Sequence, residues 1–139
     1  MIIRPCTDLD AALLDSWEPP QGDYDHLHWL MSQLKNPLTK VYIGVEENRG
    51  RAVCFGRITE QHDHCDIGWF TAPKFRRKGF GLQLAFLLRE TATKPLKATI
   101  HSENLASEAI AYRLGMTPDD LNGYILPCLR EWRETTSVC

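Results

Sequence analysis

No apolar run in this chain approaches the roughly 18 residues that a membrane-crossing helix needs, and Met1-Ile2-Ile3-Arg4-Pro5 lacks the long apolar segment of a secretory leader. A cytoplasmic protein with no membrane association is therefore expected. The five cysteines (Cys6, Cys54, Cys65, Cys128 and Cys139) contain no Cys-x-x-Cys pair and are odd in number. That pattern excludes a zinc ribbon and a closed disulfide framework, and reduced thiols are the expectation. The chain also lacks a basic excess: its formal net charge is -2, so binding nucleic acid by bulk counterion release is excluded. Repeats, low-complexity tracts and linkers are missing as well. With 43% hydrophobic residues in 139, residues 1–139 are expected to form one domain with a core of its own.

One stretch imitates a metal site. His62-Asp63-His64-Cys65-Asp66 gathers ligand types, but strand alternation sends neighbours to opposite faces and no distant cysteine pair completes a tetrahedral set. It reads as a polar hairpin turn, and no metal is expected.

The elements alternate along the chain. Ile2 to Pro5 is a short strand, Thr7-Asp8-Leu9-Asp10 offers a helix start, and Pro19-Pro20-Gln21-Gly22 breaks that helix. From Tyr24 to Lys35, Leu27, Leu30, Met31 and Leu34 recur at helical spacing until Asn36-Pro37. Val41–Val45 and Ala52–Thr59 flank a turn at Glu47-Asn48-Arg49-Gly50, which predicts an antiparallel hairpin, and Cys65–Thr71 is a third strand of that group. A helix over Leu82–Thr93 follows, then a strand at Lys97–His101. A helix capped by Asn104 or Ser102 runs to Leu114, and Tyr124–Leu126 is the last strand. The order is β-α-α-β-β-β-α-β-α-β, an α/β (α+β) pattern.

The most informative residues are Arg76-Arg77-Lys78-Gly79-Phe80-Gly81, set where the third strand of the group gives way to a helix. Glycine lets backbone approach an oxyanion closely and tolerates left-handed torsions. The following helix aims its unpaired amides and positive dipole end at the same point. The run is an anion cradle suited to phosphate. It is not a dinucleotide fingerprint, because the third glycine would fall at Leu84, and no Gly-Lys-(Ser/Thr) follows to make a nucleoside-triphosphate loop.

This run resembles the (Gln/Arg)-x-x-Gly-x-(Gly/Ala) signature of the GNAT N-acetyltransferase superfamily. Thr71-Ala72-Pro73 precedes it as in that family, and Asn104 to Met116 resembles the family's Asn-led helix ending in Leu-Gly-(Phe/Met). The resemblance spans about residues 64–116 and implies a mixed, mostly antiparallel central sheet flanked by helices. It also implies acetyl-CoA as co-substrate, bound where two neighbouring strands splay apart. Carried over by position, Arg76, Arg77, Lys78, Gly79, Phe80 and Gly81 would bind pyrophosphate. Trp69, Phe70 and Thr71 would offer backbone hydrogen bonds to the pantetheine arm and thioester carbonyl, and Asn104 would bond pantetheine near the next helix.

The implied reaction is acetyl transfer to a primary amine by direct attack in a ternary complex. The partner is then an amine substrate, small molecule or protein, with no nucleic acid, and the chain is expected as a monomer or homodimer. Family members commonly use a tyrosine four residues before the Leu-Gly glycine as the acid. Here that position is Ala111, and Tyr112 lies one residue on, about 100° around the helix and about 1.5 Å along it. Asn104-Leu105-Ala106-Ser107 resembles the branch that acetylates N-termini of ribosomal proteins, which implies that Ser107 hydrogen-bonds the leaving thiolate. Glu60, His64 and Asp66 cluster at the start of the third strand as candidate bases, working through water. Asp23, Tyr24, Asp25 and Trp29 would suit a cationic amine. The vacant tyrosine position and the short tail after Met116 define the rival reading, an acyl-CoA-binding or partner-binding module without effective turnover.

Overall fold

The computed structural model describes residues 1–17, 26–101, 103–119, 124–126 and 129–134, and for 26–28 and 124–126 the backbone alone. Strand β1 (Ile2–Pro5) leads to helix α1 (Asp8–Ser16) and helix α2 (His26–Lys35). The start of α1 is fixed by its own residues. Asp10 Oδ2 accepts from the Thr7 N–H at 2.9 Å, and Arg4 reaches both Asp10 oxygens at 2.8 Å. The bonded guanidinium holds the Asp10 carboxyl far below the usual carboxylate range. Strands β2 (Thr39–Val45), β3 (Ala52–Glu60) and β4 (Cys65–Thr71) form the expected antiparallel group. The acidic, His-rich stretch is the β3–β4 turn, where the Gln61 N–H donates to the His64 carbonyl at 2.8 Å.

A short 3-10 turn at Pro73–Phe75 precedes α3 (Phe80–Thr91), which begins two residues earlier than its sequence pattern predicts. Gly79 ends the preceding turn in a left-handed conformation and releases the chain directly into the helix. Strand β5 (Leu96–His101) and helix α4 (Leu105–Arg113) follow, with Asn104 as the cap: its Oδ1 accepts from the Ser107 N–H at 3.1 Å.

The C-terminal part corrects the sequence reading, which gives one strand. There are three: β6 (Met116–Pro118), β7 (Tyr124–Leu126) and β8 (Leu129–Glu134). Strand β8 is hidden by its charges. Leu-Arg-Glu-Trp-Arg-Glu does not read as a buried strand, yet Trp132 is buried and the charges find partners. Glu131 lies 3.8 Å from Lys97, Glu134 accepts from Arg89 at 2.8 Å, and Arg133 pairs with Asp119. Cross-strand pairs of this kind let a polar sequence hold a strand.

The sheet order is β1-β2-β3-β4-β5-β8-β6, with β7 paired to β8. Every neighbouring pair is antiparallel except β4 with β5. One face carries a core of Ile58, Ile67, Leu84, Leu88, Ala98, Leu114 and Trp132, shared with α3 and α4. The other face packs Val41, Ile43 and Phe55 against Ala11 and Leu14 of α1 and Leu30 of α2. Leu84 and Leu88 are fully buried, and burial of each contributes about 1.5–3 kcal/mol.

Gly56 sets how closely α3 approaches the sheet. A Cβ there would lie 2.5 Å from Leu88 Cδ1 and 2.8 Å from the Gly68 carbonyl oxygen. Gly56→Ala is therefore expected to lower unfolding stability by about 1–3 kcal/mol. Urea denaturation checks this, and a midpoint equal to wild type would contradict it.

Candidate active site

The site begins with a strand pairing that stops. Parallel strands β4 and β5 are joined only through Cys65 with Leu96 and Asp66 with Lys97. Beyond that point β4 continues to Thr71 and β5 to His101. The β4 edge at residues 67–71 therefore has no strand partner among the described residues, and its N–H and C=O groups face a gap. An extended ligand can complete that edge as an added strand would.

On the α3–α4 side the gap widens into a cleft of about 640 Å³. Its walls are the end of β4 (Trp69, Phe70, Thr71), the glycine turn with the start of α3, and one face of α4. The turn is built for an anion. Arg77 (φ 65°) and Gly79 (φ 82°) are both left-handed, the backbone type that gathers successive N–H groups into a concavity. Helix α3 has no side-chain cap, so the amides of its first turn lack intrahelical partners at the cleft wall. Gly81 has a packing role as well. A Cβ there would come 3.0 Å from Thr71 Oγ1 and 3.3 Å from Ile110 Cδ1, so glycine lets α3, β4 and α4 close together.

A second cavity, about 130 Å³, adjoins the first. Gly68, Thr99 and His101 line it together with Trp69, Ala98 and Ile100. Successive residues of both strands line it, so the cavity is a passage lying in the gap between β4 and β5. Trp69, Asn104 and Ser107 wall both cavities. Where they meet, the Trp69 indole N–H donates to Ser107 Oγ at 3.2 Å. Ser107 is thereby fixed as an acceptor toward Trp69, which leaves its own proton to donate.

The residues singled out from sequence separate into two groups. Trp69, Phe70, Thr71, Arg76, Arg77, Gly79, Phe80, Gly81, Asn104 and Ser107 all line the large cleft. Lys78 does not; its Nζ lies 5.8 Å from the centre of the Phe75 ring, outside the wall. Arg76 is held back on the turn, with Nε donating to the Thr71 carbonyl at 3.2 Å and the guanidinium 5.3 Å from the Phe70 ring. Capping engages Asn104 Oδ1 and leaves its NH2 group for a ligand.

Tyr112 is 73% exposed on the outer side of α4 and lines neither cavity. The extra helical residue rotates it away from the position an acid would need. Glu60 is exposed at the far end of β3, 3.4 Å from Lys94. Asp66 sits at the closed end of the gap, accepting from Gln61 at 3.2 Å and lying 3.2 Å from His64 Nε2. The residues Asp23, Tyr24 and Asp25 lie outside the described part.

The sequence reading misses the side-chain roles of Trp69, Arg113 and His101. Trp69 is there given backbone contacts only, whereas its side chain reaches Ser107. Arg113 adds a cation to the cleft, and its spacing of three from Ile110 and seven from Ala106 is the available signal. His101 ends β5 at the passage, and its Nδ1 accepts from the Glu103 N–H at 3.2 Å. That bond places the proton of the neutral ring on Nε2.

A cationic, amide-lined cleft beside a parted parallel pair suits an acyl-CoA-dependent transferase. The chain belongs to the GNAT acetyltransferase family: the family model described as Acetyltransferase (GNAT) domain matches residues 1–117. It is thus an acetyl-CoA-dependent N-acetyltransferase. No curated protein matches by sequence. Among solved structures, spermidine N-acetyltransferase from Vibrio cholerae in complex with CoA and spermine superposes with TM-score 0.74 at 13% identity, covering 95% of this chain and 93% of that one. Ribosomal-protein-alanine N-acetyltransferase from Brucella melitensis gives 0.71 at 18%, covering 96% and 99%. A domain from Methanocaldococcus jannaschii gives 0.74 at 22%, covering 95% and 97%. These likenesses show the fold. Among the described residues no helix is long and apolar enough to cross a membrane.

A Cβ at Gly79 would meet no atom within 4 Å, so only the torsion of this residue resists substitution. Gly79→Ala is expected to cost about 1–2 kcal/mol, and Gly79→Asn less, because asparagine tolerates the left-handed region. Thermal unfolding of the two variants checks the order, and equal stability of both with wild type would contradict it.

Proposed function

We propose that the chain transfers an acetyl group from acetyl-CoA to a primary amine, on a protein or a small molecule, by direct attack in a ternary complex. The observation that carries this reading is the Trp69–Ser107 hydrogen bond where the large cleft meets the passage through the sheet. Acetyl-CoA supplies an activated thioester, whose C–S bond breaks as the amine forms a C–N bond. The residues present fit that co-substrate. Arg77, Arg113 and the first-turn amides of α3 would hold its phosphates, and the open β4 edge from Ile67 to Thr71 would take its extended amide-bearing arm.

Backbone donors on that edge hold the thioester carbonyl where negative charge develops, an effect that strengthens along the reaction. Ser107, anchored by the indole, donates its proton toward the departing sulfur. The amine arrives through the small cavity from the opposite face, so both reactants are positioned on one line through the sheet. Asp66 lies on that face about 7 Å along β4 from Gly68, close enough to take the amine's proton through water. The Asn104-Leu105-Ala106-Ser107 pattern supports a protein N-terminus among the possible acceptors.

A covalent route through a thiol has little support. Burial pushes the Cys54 thiol up to about 12, and Cys65 is buried at the closed end of the gap.

Ser107→Ala is expected to lower kcat by about 100-fold without weakening acetyl-CoA binding. Trp69→Phe, which deletes only the orienting N–H, should lower it by a factor of about five. Steady-state kinetics with direct binding measurements separate the two quantities. Initial rates should follow a sequential pattern; wild-type kcat in the Ser107 variant, or ping-pong kinetics, would contradict the mechanism.

A further inference from the structure

The acceptor side of the gap carries a cation that the transfer chemistry does not use. Arg57 of β3 is the cross-strand partner of Gly68 in β4. It is half-buried, with its Nε 3.5 Å and Cζ 3.7 Å from where a Gly68 Cβ would stand. Gly68 is itself a wall of the passage, and with no side chain there the guanidinium lies directly over that wall without lining the cavity. Its contacts are the Thr59 hydroxyl at 3.5 Å and the Trp29 ring at 6.0 Å. Among the described residues it has no carboxylate partner. The carboxylate on the same face of β4, Asp66, is turned to Gln61 and His64.

A partly exposed guanidinium with no carboxylate partner among the described residues can take one from a ligand. It is also a fork shaped for a carboxylate. We propose that the acceptor is an amine that itself carries a carboxylate, and that Arg57 holds that carboxylate while the amino group lies in the passage. This rests on the acetyl-transfer reading and names its substrate class. Charge supports it twice. A cationic polyamine would meet Arg57 with like charge. An amino-acid-like acceptor gains an ion pair, and its amino group, held near a guanidinium, is favoured in the neutral form that attacks. Beside Arg57 on this face, Arg76 covers the Phe70 ring, so the positive character extends along β4 toward the cleft. The His101 Nε2–H adds a donor at the same passage.

The test compares amines matched in shape: phenylalanine with phenethylamine, and lysine with cadaverine. Each is assayed for acetylation, and each for equilibrium binding to protein saturated with coenzyme A. Wild type is expected to prefer the carboxylate-bearing member by on the order of 10- to 100-fold in kcat/KM and in affinity. In Arg57→Gln that ratio should fall toward unity, and in Arg57→Lys, which keeps charge and loses the fork, it should be intermediate. Coenzyme A affinity of each variant shows that the fold is intact, and the lysine variant reads the same ratio if the glutamine variant does not fold. Equal treatment of both members by wild type, or an undiminished ratio in a folded Arg57 variant, would overturn the proposal. The two readings fail separately. Preferential acetylation of the carboxylate-free amines upholds transfer and sinks the acceptor class. Arg57-dependent binding without any acetylation upholds the class and sinks transfer.

Discussion

The pairing between β4 and β5 stops after Asp66, and the rest of the site depends on that interruption. A sheet that continued would satisfy its own edge and leave no place for an extended ligand. Parting the strands exposes backbone groups that only a bound molecule can complete. It also leaves a cavity between the strands, so that one reactant could lie against α3 and α4 while the other comes from the face that carries α1 and α2. The closed end of the gap is held by core residues Cys65 and Leu96, and β8 secures β5 from its other edge.

Charge is distributed to match. On the cofactor side, Arg77, Arg113 and the uncapped start of α3 give a positive field where phosphates belong. The turn accepts a left-handed arginine to build it, the type of local strain that persists at functional sites because the surrounding structure imposes it. On the acceptor side Arg57 lies across Gly68 in the gap's wall. A transferase of this kind needs little from the chain beyond positioning, a polar carbonyl site and one proton donor, the role we propose for Ser107, whose orientation the Trp69 indole fixes.

Much of this is legible in the sequence, for identifiable reasons. The glycine turn announces itself because close backbone approach and left-handed torsion restrict residue type. Asn104 and Ser107 are readable because the cap and the hydroxyl at the cleft fall within one helical turn. The first three sheet strands after α2 follow from β-branched residues separated by turn signals. What fails are features that depend on tertiary partners. Strand β8 looks polar until Lys97, Arg89 and Asp119 are brought beside its charges. Tyr112 looks plausible until the helix phase places it outside. Trp69 and Arg57 give no local sign, since their roles come from Ser107 and Gly68, each distant in sequence or across a strand.

Acetyl-CoA is expected to complete the open edge of β4 and the first turn of α3. Amide hydrogen exchange with and without acetyl-CoA measures this directly, because only groups that gain a partner slow down. Strong new protection is expected at Gly68 to Thr71 and at Phe80 to Leu82, while the paired centre of β3 stays as it was. Protection spread evenly over the chain, or absent from those two segments, would contradict it.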